Sequence, residues 1–222
     1  PLLDFEHNLL QPIKLIQTLI STDCKKFVFS SSGGTIFGEP DVIPTSEEDF
    51  AGDPVSPYGG AKKKLNDFIK LMLENEKMSY SILNLANVYG PRQDPHGEAG
   101  VMSIFTGKML NNETPIIYGD GNQTRDYVYV ADVVSALMKS SEINSNLFLN
   151  IGTSVETSVN ELVSIIASKT SWKGEPDYKP QRDGELLRSV LNNEKAKKTL
   201  DWEPEYNLNR GIEQLVDWFK NS

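Results

Sequence analysis

Ser30-Ser31-Ser32-Gly33-Gly34 and Ser56-Pro57-Tyr58-Gly59-Gly60-Ala61-Lys62 are the two stretches on which the reading of this chain turns. The first closes a short apolar run, Lys26 to Ser30, which reads as a buried parallel strand. The second opens a helix. Ser56 fits its N-cap and Pro57 its first turn. Tyr58 and Lys62 are four residues apart and therefore share one helix face. If the strand and the helix pack together, hydroxyl, phenol and ammonium meet at one point. A free phenol has a pKa of about 10 and is a poor base at neutral pH. Lowering it by roughly three units takes about 4 kcal/mol of preference for the phenolate. A nearby cation supplies that preference.

Outward from these stretches, strands and helices alternate. Leu9, Ile13, Ile16 and Ile20 recur at helical spacing, with Pro12 expected to bend or break that helix. Residues 39–57 are rich in Pro, Asp and Glu and read as a surface loop. The Tyr58 helix should run to about Lys77, and Tyr80 to Leu85 is the next strand. Beyond a loop over Gly90–Gly100, a helix is expected over Val101–Leu110 and short strands over Pro115–Tyr118 and Asp126–Val130. A helix over Asp132–Ser141 and a sheet strand over Leu147–Ile151 follow. Ser158-Val159-Asn160-Glu161 is a capping box. Asn193–Leu200 and a last amphipathic stretch from Leu208 to Phe219 close the chain. This pattern predicts an α/β fold: part of a Rossmann-like, doubly wound parallel sheet with a smaller mixed α/β unit. The expected division gives residues 1–88 and 126–152 to the sheet unit, and 89–125 and 153–222 to the other.

Composition narrows the function. The 222 residues carry 22 Lys+Arg against 31 Asp+Glu, a formal charge of −9. That favours a soluble protein and disfavours a nucleic-acid binder. The single cysteine, Cys24, allows no internal disulfide and suits a reducing, cytoplasmic setting. No apolar run approaches the roughly 18 residues of a membrane span, and the first residues lack a signal-peptide pattern. With two histidines and no Cys/His cluster, no metal site is expected.

Phe27 to Gly38, Ser56-Pro57-Tyr58-Gly59-x-x-Lys62 and Ala86-Asn87-Val88-Tyr89-Gly90-Pro91-Arg92 together resemble the extended short-chain dehydrogenase/reductases, the NAD-dependent epimerase/dehydratase family, nearest to its UDP-glucose 4-epimerases. The resemblance implies NAD as cofactor, a UDP-sugar as substrate, and a homodimer packed through the helices near residues 9–20 and 58–76. It makes Tyr58 the catalytic acid/base and Lys62 the residue that binds the nicotinamide ribose and lowers the phenol's pKa. Ser32 is the serine partner, with Ser31 as the alternative, because Gly33-Gly34 stands where many relatives have one residue. Asn8, Ser30, Ser31, Leu85, Ala86 and Val88 fall at cofactor positions. Asn8, however, is followed by Gln11-Pro12 rather than the family's Gly-Thr. Asn87, Ile116, Tyr118, Arg125, Arg182 and Glu185 fall at substrate positions, with the two arginines on the pyrophosphate and Glu185 on the ribose. Ser189 matches the residue that gates the sugar pocket, and its small size implies acceptance of N-acetylated sugars.

The chain lacks the Gly-x-Gly-x-x-Gly or Gly-x-x-Gly-x-x-Gly turn that holds a dinucleotide pyrophosphate. It therefore reads as a piece that begins part-way through the nucleotide unit. Dehydratases of the family carry Thr-Asp-Glu where Ser32-Gly33-Gly34 stands, which disfavours elimination. Decarboxylation of a UDP-sugar, or a truncated non-catalytic binding protein, are the other readings.

Overall fold

The computed structural model describes residues 2–49, 52–95, 100–182 and 184–222. In chain order its elements are α1 (Leu2–Phe5), a π-turn (Glu6–Leu10), α2 (Gln11–Ile20), β1 (Lys26–Ser32), α3 (Gly33–Ile36), α4 (Pro57–Leu73), β2 (Ser79–Leu85), β3 (Asn87–Tyr89) and α5 (Val101–Leu110). There follow β4 (Ile116–Tyr118), β5 (Thr124–Arg125), β6 (Tyr127–Tyr129), α6 (Val130–Ser141), β7 (Leu147–Ile151), β8 (Thr157–Ser158), α7 (Val159–Thr170), β9 (Asp177–Lys179), β10 (Arg188–Ser189), α8 (Glu194–Leu200) and α9 (Leu208–Asn221).

The strands β1, β2 and β7 form a parallel sheet in the order β1-β2-β7. Side-chain alternation sends Phe27, Phe29, Ile82 and Phe148 to one face. There they pack with Ile16 of α2 and Leu65, Ile69 and Leu73 of α4. Leu83, Leu147, Leu149 and Ile151 go to the other face, against Val133 and Ala136 of α6 and Ala196 and Leu200 of α8. Both faces are covered, as a parallel sheet requires. Residues 191–202 fell in the second unit of the expected division. Leu191, Ala196, Leu200 and the fully buried Trp202 pack instead in this sheet's core. A separate core joins α5, α7 and α9 over β4 and β6.

Several expected boundaries move. The break at Pro12 is a π-turn just before it: proline has no N–H to donate, and the turn ahead widens. α4 stops at Leu73, four residues short of Lys77. The expected strand at 126–130 forms over Tyr127–Tyr129 as β6 beside β3, and an unexpected short strand, β5 beside β10, stands just ahead of it, with Asp126 between the two. The loop 39–57 is not wholly superficial. Thr45 and Glu47 are buried, and Thr45 bridges Leu191. The loop's expected Phe50 and Ala51 lie outside the described residues, as do residues 96–99 of the 90–100 loop. The capping box on α7 forms as its pattern requires: Ser158 Oγ accepts from the Glu161 N–H, and Glu161 accepts from the Ser158 N–H.

Gly211, in the first turn of α9, lies against the buried Tyr89 ring. A Cβ there would overlap the Tyr89 hydroxyl oxygen. Alanine normally favours a helix over glycine by about 1 kcal/mol, but overpacking costs about 1–3 kcal/mol. Gly211→Ala is therefore expected to lower the melting temperature by several degrees. Tyr89→Phe in the same chain should restore part of it, since ring carbons would still stand 2.7 and 3.0 Å from the new Cβ. A rise in the melting temperature of Gly211→Ala alone would contradict this packing.

Candidate active site

The site lies at the carboxyl ends of the parallel strands, where open α/β sheets bind ligands. β1 ends in the serine run. Ser30 is exposed, Ser31 is buried, and Ser32 is partly buried. α4 starts above them, because Ser56 Oγ caps the Gly59 N–H at 3.1 Å and Pro57 fills the first turn. That cap brings Tyr58, 38% exposed, and Lys62 together. The Lys62 ammonium sits 5.7 Å from the Tyr58 ring centroid and 4.8 Å from that of Phe29. It donates to the Ser30 carbonyl at 3.5 Å. Burial lowers the Lys62 pKa from its ordinary value. An ammonium held there with little water around it acts more strongly on a neighbouring phenol than a solvated one.

Two adjoining cavities extend from this point. The smaller, of about 270 Å³, is lined by Ser32, Gly34, Thr35, Val55 and Ser56, and by Ala86, Asn87, Arg125 and residues 184–186. The larger, of about 380 Å³, takes in Asn87, Phe105, Lys108, Ile116, Tyr118, Gln123, Arg125, Tyr127, Arg182 and Glu185. Asn87, Arg125 and Glu185 belong to both walls, so the two form one groove. The Arg182 guanidinium stacks 3.7 Å from the Tyr118 ring, a favourable cation–π contact. Arg125 Nη2 stands 3.9 Å from Glu185 Oε1. The Tyr127 hydroxyl and Glu185 Oε2 are buried without protein partners, and burial pushes the Tyr127 pKa up to about 12. Two buried polar atoms on a cavity wall suit a ligand rich in hydroxyls.

The sequence-derived residues are not all brought together. Ser30, Ser31, Ser32, Leu85, Ala86 and Val88 stand at or just past the ends of β1 and β2, and Lys62 of α4 reaches the Ser30 carbonyl and the Tyr58 ring, but of these eight only Ser32 and Ala86 line a cavity. Asn87, Ile116, Tyr118, Arg125, Arg182 and Glu185 line the groove. Asn8 lies in the π-turn, which packs on α4, and lines neither cavity. Ser189 is buried one layer back, its Oγ 3.9 Å from where a Cβ on Gly34 would sit, so Gly34 and Leu186 form the cavity wall there.

Sequence reading passed over Tyr127, Gln123, Thr35 and, above all, Asp126. The Asp126 side chain is buried and accepts from the Thr153 N–H and Oγ1 (2.9 and 2.6 Å), the Ser154 N–H (3.2 Å) and the Leu191 N–H (3.4 Å). Its carbonyl accepts from the Asn87 N–H, and its N–H donates to the Ser189 carbonyl. One residue thus ties β3, β7 and the strand that carries Ser189 to Arg125. The signal was its place beside Arg125, but nothing in the sequence showed which backbone donors would surround it.

The family model described as GDP-mannose 4,6 dehydratase matches residues 4–215. The chain belongs to the NAD-dependent epimerase/dehydratase family. The UDP-glucose 4-epimerase of Mycolicibacterium smegmatis is 40% identical over 222 residues, all of this chain and 71% of that one. Among solved structures, the UDP-glucose 4-epimerase of Thermotoga maritima, determined with UDP-glucose, is 43% identical with a TM-score of 0.95, over 98% of this chain and 70% of that one. The UDP-glucose 4-epimerase of Thermus thermophilus, in complex with NAD, is 34% identical with a TM-score of 0.91, over 100% and 72%. The parallel sheet at the centre of this family member matches the fold read from its strand–helix alternation.

Proposed function

We propose that this chain is an NAD-dependent epimerase that inverts C4 of a UDP-sugar, interconverting UDP-glucose and UDP-galactose, by transient oxidation. The observation that carries the reading is the single groove that runs from Tyr118 and Arg182 to Ser32 beneath the start of α4. It offers an aromatic ring stacked by one guanidinium at one end, a second guanidinium where the two cavities join, and Ser32 and Ser56 at the far end, where the helix that carries Tyr58 begins. This is the order of base, diphosphate and sugar in the substrate.

The residues present fit the nicotinamide-ribose end of NAD. Lys62 spends one donor on the Ser30 carbonyl and keeps others for a ribose diol. Tyr58 stands exposed beside it, and Ala86–Val88 offer backbone at the end of β2. NAD, when bound, would take up the C4 hydride and return it. Every other task falls to the protein. Tyr58 accepts the proton of the 4-hydroxyl and later gives it back. Ser32 hydrogen-bonds the reacting oxygen. Arg125 and Arg182 hold the diphosphate, and Glu185 accepts from ribose hydroxyls, so the sugar itself is held loosely enough to turn over. Among the described residues of the smaller cavity, Glu185 is the one carboxylate, and it is paired with Arg125. A 4,6-elimination needs further acid groups beside the sugar, so the cavity favours epimerisation.

The test is to denature the purified protein, assay released NAD, and separately follow conversion of UDP-galactose to UDP-glucose. Turnover is expected. Failure to epimerise UDP-galactose by protein that carries stoichiometric NAD would overturn the reading. Arg182→Ala should raise KM for the UDP-sugar by roughly tenfold to a hundredfold, the worth of one or two charge-assisted hydrogen bonds. An unchanged KM would reduce Arg182 to a surface cation on Tyr118.

The reading extends to a homodimer in the cytoplasm. Leu10 at the end of the π-turn, Leu15 of α2, and Phe68 and Leu71 of α4 are exposed, apolar side chains suited to contact with a second copy. No helix among the described residues is long and apolar enough to cross a membrane. Leu71→Glu should shift the mass in solution towards that of one chain.

A further inference from the structure

Across the α4 face of the sheet, Ser31 of β1, Asn84 of β2 and Asn150 of β7 stand in register as neighbours. All three are buried, as is Asn66 of α4. Their amides donate in one direction. Asn66 Nδ2 donates to Asn84 Oδ1 at 3.3 Å, Asn84 Nδ2 to Asn150 Oδ1 at 3.1 Å, and Asn150 Nδ2 to the Thr45 carbonyl at 3.0 Å. The Asn150 N–H donates to Glu47 at 2.7 Å. The direction is imposed by the far end, because the Thr45 carbonyl that Asn150 Nδ2 meets can only accept. The near end is then left with an acceptor, Asn66 Oδ1. That atom and the Oγ of Ser31, the β1 neighbour of Asn84, are both buried without a protein hydrogen-bond partner, each other included. A hydroxyl can donate, and buried polar atoms in contact with nothing are costly.

We propose that the Ser31 hydroxyl completes this row by donating to Asn66 Oδ1, directly or through one bound water, and that the row fixes how α4 sits on the sheet. Asn66 is one turn below Lys62 and two below Tyr58, on the same helix face. Ser31 is therefore a positioning residue, and Ser32, which lines the sugar cavity, is left as the serine that meets the reacting oxygen. The assignment of Ser32 rests on the epimerase reading above; the row itself does not.

The experiment is a double-mutant cycle with Ser31→Ala and Asn66→Ala, read by thermal unfolding and by UDP-galactose kinetics. Ser31→Ala is expected to lower the melting temperature by about 2–5 °C. It should lower kcat by about threefold to tenfold with KM unchanged. In the Asn66→Ala background both effects of Ser31→Ala should shrink to less than half. Ser31→Thr, which keeps the hydroxyl, should restore both values, and Ser32→Ala should cost kcat more than a hundredfold at an unchanged melting temperature. Full additivity of the two alanine variants in melting temperature would overturn the row. A Ser31→Ala variant as inactive as Tyr58→Phe and as stable as the parent would make Ser31 the reacting serine. If neither parent nor variants turn over UDP-galactose although they carry NAD, the epimerase reading fails, while the melting cycle still decides the row.

Discussion

Tyr58→Phe is expected to abolish epimerisation, with kcat reduced by about 10³-fold or more, while UDP binding stays within about twofold of the parent. In the proposed reaction the phenol oxygen exchanges the proton of the 4-hydroxyl, and loss of a general acid/base typically costs about 10²–10⁴ in rate. Nothing else at the strand ends replaces it. Lys62 has no lone pair to offer while charged, and Ser32 has too high a pKa. The ring itself is 38% exposed, so removing its oxygen leaves packing intact and the melting temperature should not move. Arg125 and Arg182, the groove residues proposed to hold the diphosphate, do not lie on α4 and keep their positions. The measurement is single-variant kinetics with UDP-galactose beside calorimetric titration of UDP. A variant retaining a tenth of the parent rate would show that another group moves the proton.

Asp126→Asn is expected to be among the most damaging changes that add no bulk. The carboxylate is surrounded by donors only, those of Thr153, Ser154 and Leu191. An amide keeps one oxygen and turns a second donor towards donors. Gly152 packs so closely that a Cβ there would overlap the carboxylate, and the side chain has no room to rotate away. Burial raises the Asp126 pKa and the hydrogen bonds lower it, with burial the larger effect. The site thus depends on hydrogen bonds rather than on a partner cation. Leaving one buried donor unmatched costs about 1–3 kcal/mol, or roughly 3–10 °C in melting temperature for a chain of this size. Because Asp126 also holds Asn87 and the Ser189 strand through its backbone, KM for the UDP-sugar should rise as well. Thr153→Val, which removes one donor and keeps the shape, should show a smaller loss of the same kind. An Asp126→Asn protein with the parent's melting temperature would refute the clamp.

Local patterns foretold much of this molecule. The spacing of Tyr58 and Lys62, the cap at Ser56-Pro57, the capping box at Ser158 and the strand at Leu147–Ile151 are properties of short segments, and short segments obey local rules. The end of a run was less legible. α4 stops at Leu73 because the sheet it covers runs out, not because a breaker stands there. The strand expected at 126–130 is only β6, at 127–129, and β5 at 124–125 escaped notice because each is held by a neighbour that is not near in sequence.

By itself the sequence determined the alternation of strand and helix, the pairing of Tyr58 and Lys62 on one helix face, and the presence of two arginines suited to a diphosphate. Only the tertiary structure decided which of these share a cavity. It joined Tyr118, Arg125, Arg182 and Glu185 in one groove, moved Ser189 behind Gly34, left Asn8 off the cavity walls, and gathered donors around Asp126. It also aligned Ser31, Asn84 and Asn150 across three strands. The physical reason is that burial and hydrogen-bond partnership are set by residues tens of positions apart. A buried polar group is satisfied by whatever the fold brings to it, and that cannot be read from its sequence neighbours.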